Sequence, residues 1–70
     1  MEKFQLKDQE YIQLNQLLKA TGVVATGGEA MVRIDEGLVY VNDKIETQRR
    51  KKIRVGDSVK YIDDIIVVVK

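Results

Sequence analysis

The apolar residues of this chain change their spacing at Gly37, and this change limits the possible folds more than any other feature. Before Gly37, Leu14, Leu17 and Leu18 recur three and four positions apart, which is typical of one face of a helix. After Gly37, apolar residues form short runs separated by turn residues, which is typical of strands. The chain is therefore expected to be an α+β protein, with helices first and a sheet after them.

Two short helices are predicted before the change in spacing. The leucines indicate a first helix over about residues 10 to 21, and Gly22 follows as a residue that can end a helix with positive φ. Thr26 and Glu29 form a T-x-x-E capping box, in which the Thr26 hydroxyl accepts from the Glu29 amide and the Glu29 side chain reaches back to the Thr26 amide. This box begins a second helix that ends at Gly37. The two helices form a helix-turn-helix-like corner.

The rest of the chain predicts a small, mostly antiparallel sheet. Asn42-Asp43 is a two-residue turn that tolerates positive φ, and it joins two strands as a hairpin. Further turns are expected at Val55-Gly56-Asp57 and at Asp63-Asp64. The segments predicted as strands are residues 4–6, 38–41, 44–45, 58–62 and 65–69.

The size and composition of the chain exclude several classes of function. A chain of 70 residues is expected to form one domain over residues 1–70, with little room for an enclosed active site. It has no Cys and no His, and therefore no disulfide, thiol nucleophile or imidazole ligand. We expect no enzyme, cofactor or metal. No segment has the apolar length of a signal peptide or a bilayer span, so we expect a cytoplasmic protein without membrane contact.

Positive charge is concentrated in one segment, although the formal net charge is only +1. Residues 49–54 read "RRKKIR", and residues 44–60 hold seven Lys or Arg against two Asp or Glu. Such a local excess is the electrostatic pattern of a nucleic-acid contact. A solvated loop would show the same run of charges, and composition alone does not separate the two interpretations.

Several motifs occur in an order that points to a known family. The second helix ends at Gly37, the strand after it reads Val39-x-Val41-Asn42, and Gly56-Asp57 begins a later strand. These motifs resemble the S-four-like RNA-binding domain, named after a small-subunit ribosomal protein. The front strand, the "TGGEA" helix start and the tail are most similar to its small stand-alone bacterial members (YaaA/YbcJ-like). The resemblance covers about residues 11 to 61, and it implies an alpha-L motif and RNA binding.

Two positions depart from the pattern of that family. Members often begin the second helix with a Ser-Arg pair whose Arg faces RNA, and Thr26-Gly27 stand there in this chain. One basic contact is therefore absent. The family's turn Gly is Asp43 here, which places a negative charge near the expected binding edge. Both departures concern the affinity and the choice of RNA more than the fold.

With this architecture, the basic run lies beside the helical corner, where Arg and Lys can contact successive phosphates. The amides of Gly27, Gly28 and Glu29 point outward at a helix N-terminus that favours an anion. The two glycines are explained either by the approach of a phosphate to the backbone or by close packing of the helices. The residues predicted to bind RNA are Arg49, Arg50, Lys51, Lys52, Arg54, Lys44, Thr26, Gly27, Gly28, Arg33 and Lys19.

Two of these cations and two tyrosines can also be explained without RNA. Arg33 and Lys19 extend the basic face or are simply solvated helix charges. Tyr40 and Tyr61 stack on unpaired bases or pack in the core and at its rim. Packing is favoured for the tyrosines because no aromatic residue is interleaved with the basic run.

The predicted function is non-catalytic binding of structured RNA, such as ribosomal or transfer RNA, through phosphates and groove shape. Association with the ribosome and a monomeric state are part of this expectation. Two alternatives use the same basic edge, namely an adaptor that binds an acidic protein and a DNA-binding module. An enzyme would instead require a deep pocket with perturbed titratable groups.

Overall fold

Two helices and seven short strands make up the computed structural model, which describes residues 1–70. In chain order they are β1 (Glu2–Gln5), β2 (Ile12–Gln13), α1 (Leu14–Ala20), α2 (Gly27–Asp35), β3 (Val39–Val41), β4 (Lys44–Ile45), β5 (Lys52–Ile53), β6 (Ser58–Tyr61) and β7 (Asp64–Val69). Five strands form one sheet in the order β1-β7-β6-β3-β4, and β2 pairs with β5 in a separate two-stranded sheet. Only β1 and β7 pair in parallel. The predicted α+β class is confirmed.

The core lies between the helices and one face of the larger sheet. Side chains alternate along β3, β6 and β7, so that one face of these strands is the more buried and the other the more exposed to solvent. The largest fully buried side chains are Leu14, Leu17, Leu18, Ile34, Ile53, Ile66, Val39, Val59 and Val68. Burial of each is worth roughly 1.5–3 kcal/mol relative to exposure, so this cluster supplies most of the stabilising free energy in a chain without disulfides.

The ends of α2 follow the local signals in the sequence. Thr26 Oγ1 accepts from the Glu29 amide at 3.0 Å, as the capping box predicts. Glu29 Oε1 accepts from the amide of Ala25 at 2.8 Å, one residue before the predicted partner. Gly37 has φ +75°, and its amide donates to the Ile34 carbonyl at 3.0 Å. This left-handed conformation suits glycine because it has no Cβ.

The first helix is shorter than predicted, because its expected first turn is a strand. α1 begins at Leu14 rather than near residue 10. Ile12 and Gln13 instead pair antiparallel with Ile53 and Lys52. The helical spacing of the leucines is correct, but the segment before them finds hydrogen-bond partners in a strand about 40 residues later in the chain. Pairing with this distant segment overrides the local preference for helix.

The structure has a turn at or next to each of the three predicted positions, and Gly56 in the second of them has φ +95°. Asn42 and Asp43 have φ +51° and +71°, which confirms the two-residue hairpin turn between β3 and β4. The third turn lies one residue earlier than predicted, at Ile62 and Asp63, and Asp64 already pairs with Tyr61. Because β7 is bonded to β6 on one side and to β1 on the other, its pairing outweighs the turn preference of the two aspartates.

The surface has no deep cavity. One shallow depression is lined by Gly37, Leu38, Tyr40, Asp43, Lys60 and Ile62, and a second by residues 4–9. Neither includes a residue of the basic run. No helix has the length and apolar character needed to cross a bilayer. No three potential metal-ligating side chains are grouped together.

Candidate nucleic-acid interface

Residues 49–54, hereafter the basic segment, are bonded through their backbone to the start of α1. The Leu14 amide donates to the Lys51 carbonyl at 2.9 Å, and the Asn15 amide donates to the Arg49 carbonyl at 3.1 Å. The first amides of a helix have no acceptor within the helix itself. The carbonyls of Lys51 and Arg49 supply the acceptors for these two amides of α1. The backbone of the basic segment is therefore held against the start of α1.

A buried side chain also fixes the basic segment. Ile53 lies in β5 opposite Ile12 and is fully buried. Because side chains alternate along a strand, its neighbours Lys52 and Arg54 lie on the opposite face and are exposed. The Arg54 amide donates to Asp57 Oδ2 at 2.8 Å, which fixes the end of the segment. β5 was not predicted from the sequence, because two residues carry no readable periodicity.

An aromatic ring lies against two of these cations. Lys52 Nζ is 5.0 Å and Arg54 Cζ is 5.6 Å from the ring centroid of Tyr11, and both distances are within the range of cation–π attraction. Tyr11 lies within the segment that was predicted to be the first helix, and it was not among the predicted RNA-binding residues. Of the tyrosines considered for stacking, Tyr61 is buried, and Tyr40 is exposed on the outer face of the larger sheet. If Ile12-Gln13 had been recognised as a strand that pairs with Lys52-Ile53, Tyr11 would have been expected beside the basic segment.

The side chain of Arg49 forms an ion pair within the chain. Its guanidinium makes a bidentate ion pair with Asp35, the last residue of α2: Nε donates to Oδ1 at 2.9 Å, and Nη2 donates to Oδ2. The hydrogen bond from Arg49 is the main reason that the pKa of Asp35 lies below its ordinary value. This pair links the basic segment to the C-terminal end of α2 and compensates part of the charge on Arg49.

The remaining predicted cations divide into paired and unpaired groups. Arg33 contacts Glu36 at 3.0 Å and Glu29 at 3.6 Å, and the hydrogen bond to Glu36 is the main cause of the raised pKa of Arg33. It is therefore engaged within α2. Lys19 and Lys44 are exposed, on α1 and β4 respectively. The predicted cations that form no ion pair are Lys19, Lys44, Arg50, Lys51, Lys52 and Arg54.

The N-terminus of α2 leaves two amides without an acceptor in the chain, those of Gly27 and Gly28. The Glu29 amide is not available, because it donates to Thr26 Oγ1. A Cβ at Gly27 would meet nothing within 4 Å, and one at Gly28 would meet only Thr26 Oγ1 at 3.9 Å. Close packing of the helices therefore does not explain the glycines.

The start of α2 is set apart from the basic segment. Arg49 is bound at Asp35, the far end of α2. At a rise of about 1.5 Å per residue, Gly27 lies roughly 12 Å along the helix axis from that pair. The structure thus brings together the cations of the basic segment, while Thr26, Gly27 and Gly28 form a separate region at the other end of α2.

Comparison with known proteins identifies the family. The model of the S4 domain matches residues 4–70. The chain belongs to the S4 domain family. "Putative RNA-binding protein YbcJ" of Escherichia coli is 35% identical to this S4 domain over 69 residues, which are 99% of each chain. "Probable ribosome maturation protein RlbA" of Bacillus subtilis is 42% identical over 53 residues, which are 76% of this chain and 75% of RlbA.

A solved structure supports the same assignment. The solution structure of YbcJ from Escherichia coli, described as revealing an alfaL motif involved in RNA-binding, is 34% identical to this S4 domain. It superposes with a TM-score of 0.78 and covers 100% of this chain and 89% of the YbcJ chain. The resemblance inferred from Gly37, the strand motif and the Gly56-Asp57 turn is therefore confirmed.

Proposed function

We propose that this S4 domain binds RNA through its phosphate backbone, with the basic segment as the principal contact. The observation that carries the proposal is the set of unpaired cations on a segment held at both ends by backbone hydrogen bonds. Those cations are Arg50, Lys51, Lys52 and Arg54. The names of the related YbcJ and RlbA proteins, which refer to RNA binding and ribosome maturation, support the same conclusion.

Folded RNA, of the ribosomal or transfer RNA kind, is the proposed ligand. A rigid segment can match the spacing of phosphates along a helical RNA without reading bases, and RNA duplexes are recognised mainly by shape and backbone. The shallow depressions on the surface offer no enclosure for a base. We propose binding without catalysis, by a monomer that acts in the cytoplasm and in association with the ribosome.

The dependence of binding on salt tests the phosphate contacts. If the four unpaired cations of the basic segment together neutralise three to four phosphates, log K should fall with log[salt] with a slope of roughly −2 to −4. Fluorescence anisotropy with a labelled RNA hairpin, from low to physiological salt, measures this slope. Two further ligands are measured in the same assay. A duplex DNA of the same length tests the DNA-binding alternative, and an acidic peptide tests the alternative of an adaptor for an acidic protein. A slope near zero, or tighter binding to either competitor, would contradict the proposal.

Charge reversal tests the location of the contacts. Arg50→Glu with Lys52→Glu should weaken RNA binding at least tenfold at moderate salt, because two charge-assisted contacts are replaced by repulsion. Neither side chain has a carboxylate partner, so the fold should be retained.

The matched control is Lys3→Glu with Lys7→Glu, which changes the net charge equally. Lys3 lies in β1, at the opposite edge of the larger sheet from β4, and Lys7 follows that strand. The control should weaken binding less than about threefold, the size expected from screened long-range charge alone. Equal losses in the two double variants would show that only net charge matters.

A further inference from the structure

We propose that Tyr11 is a positioning residue of the interface, which holds Lys52 and Arg54 together so that the two cations bind one RNA phosphate jointly. The inference rests on the proposed function and adds to it a residue outside the basic segment. The observations behind it are the strand register, the position of both cations over one ring, and the absence of competing carboxylates.

The register of the two-stranded sheet puts these side chains on one face. Ile12 pairs with Ile53, and Gln13 pairs with Lys52, so continuation of the antiparallel register places Tyr11 opposite Arg54. Ile53 is fully buried, and it marks the inner face. Alternation then assigns Tyr11, Gln13, Lys52 and Arg54 to the outer face. Directly opposite and diagonal residues in such a pair are close enough for long side chains to meet.

The distances show that the two cations share one aromatic ring. Lys52 Nζ and Arg54 Cζ both lie within 6 Å of the ring centroid of Tyr11. Two like charges repel when they are brought close together, and the negative face of the ring offsets part of that repulsion. Tyr11 therefore keeps together two cations that would otherwise move apart in solvent.

Both cations remain available to a ligand. Neither side chain forms an ion pair, in contrast to Arg49, which is bound to Asp35. The Arg54 contact to Asp57 uses the backbone amide and leaves the guanidinium uncommitted. Because long side chains lose rotamer freedom when they bind, cations that are ordered beforehand bind an anion more tightly. A phosphate, with several acceptor oxygens, can accept hydrogen bonds from both groups at once.

Substitutions of Tyr11 test the inference in the same RNA hairpin assay. Tyr11→Leu keeps an apolar side chain but removes the ring, and it should weaken binding about three- to tenfold. It should also make the salt slope less steep by roughly 0.7–0.9, the value for one phosphate contact. Tyr11→Phe keeps the aromatic face and should bind like the unmodified chain. The matched control, Tyr40→Leu, removes an exposed aromatic residue from the larger sheet and should leave both affinity and slope unchanged.

A coupling measurement separates positioning from a general effect on the fold. In a chain that carries Lys52→Met and Arg54→Met, Tyr11→Leu should weaken RNA binding no further, because the cations that it positions are gone. In the unbound protein, the side-chain protons of Lys52 and Arg54 should show ring-current shifts by NMR that persist in Tyr11→Phe and vanish in Tyr11→Leu.

The outcomes distinguish this inference from the proposed function. If the unmodified chain shows the steep salt slope but Tyr11→Leu binds equally well, the positioning role is wrong and phosphate binding stands. An undiminished effect of Tyr11→Leu in the double Met background would also overturn it. If the unmodified chain shows no salt-dependent RNA binding, both proposals fail.

Discussion

Asn42 connects two turns of the sheet, and its replacement by valine should destabilise the fold. The residue has φ +51°, in the left-handed region that β-branched side chains adopt only under strain. Its Oδ1 accepts from the Ser58 amide at 2.9 Å, and its Nδ2 donates to Asp57 Oδ1 at 3.0 Å. The side chain therefore ties the β3–β4 hairpin turn to the start of β6.

The expected loss for Asn42→Val is the sum of a backbone and a side-chain contribution. A residue other than Gly, Asn or Asp in the left-handed region costs about 1–2 kcal/mol. The two lost hydrogen bonds contribute about 0.5–1.5 kcal/mol each, near the low end because they are exposed. The total is about 2–4 kcal/mol, against roughly 4–10 kcal/mol of unfolding free energy for a domain of this size.

Urea unfolding followed by far-UV circular dichroism measures this loss. Asn42→Gly is the matched control, since glycine accepts positive φ but lacks both hydrogen bonds, and it should lose only about 1 kcal/mol. The difference between the two variants isolates the backbone contribution. RNA affinity per folded molecule should remain unchanged in both. A valine variant as stable as the unmodified chain would refute the reasoning about this turn.

Three further predictions concern α2 and its partners. Arg49→Glu should lower the melting temperature in circular dichroism more than Arg50→Glu does, because only the first places a carboxylate beside Asp35. The hydrogen bond from Arg49 lowers the pKa of Asp35, so this pair stabilises the fold fully above the ordinary value of 3.8 and progressively less as the pH falls through the lowered value. Asp35→Asn should therefore reduce the loss of stability below pH 3.8 in acid titrations, and an unchanged acid limb would contradict this assignment. Gly28→Ala should stabilise α2 by about 0.5–1 kcal/mol in urea unfolding, because its Cβ has space. Gly28→Ala should weaken RNA binding if a phosphate contacts the Gly28 amide. If the variant binds RNA as tightly as the unmodified chain, the start of α2 is not part of the interface.

Local signals in the sequence were sufficient for several elements of this S4 domain. Thr26 and Gly37 mark the ends of α2 because caps depend on residues within one helical turn. Asn42-Asp43 marks the hairpin because few residue types tolerate positive φ at two consecutive positions. Each of these features depends on residues that are neighbours in the chain.

The composition of the candidate interface was also evident from the sequence, although its organisation was not. The run of cations at residues 49–54 is visible without a structure. Within this run, Arg49 is bound to Asp35, whereas Arg50 has no carboxylate partner. This difference depends on how the segment lies against α2. No pattern in the sequence relates positions 35 and 49.

By itself, the sequence determined the two helices and the strands of the larger sheet in their order, the main caps and turns, and the concentration of positive charge. Only the tertiary structure decided that Ile12–Gln13 is a strand, that Lys52–Ile53 pairs with it, and that Tyr11 lies against Lys52 and Arg54. A two-residue strand is stable only when a distant segment supplies its hydrogen bonds and burial. The free energy that stabilises β2 and β5 therefore comes from contacts between residues about 40 positions apart. Local strand propensity does not encode such contacts.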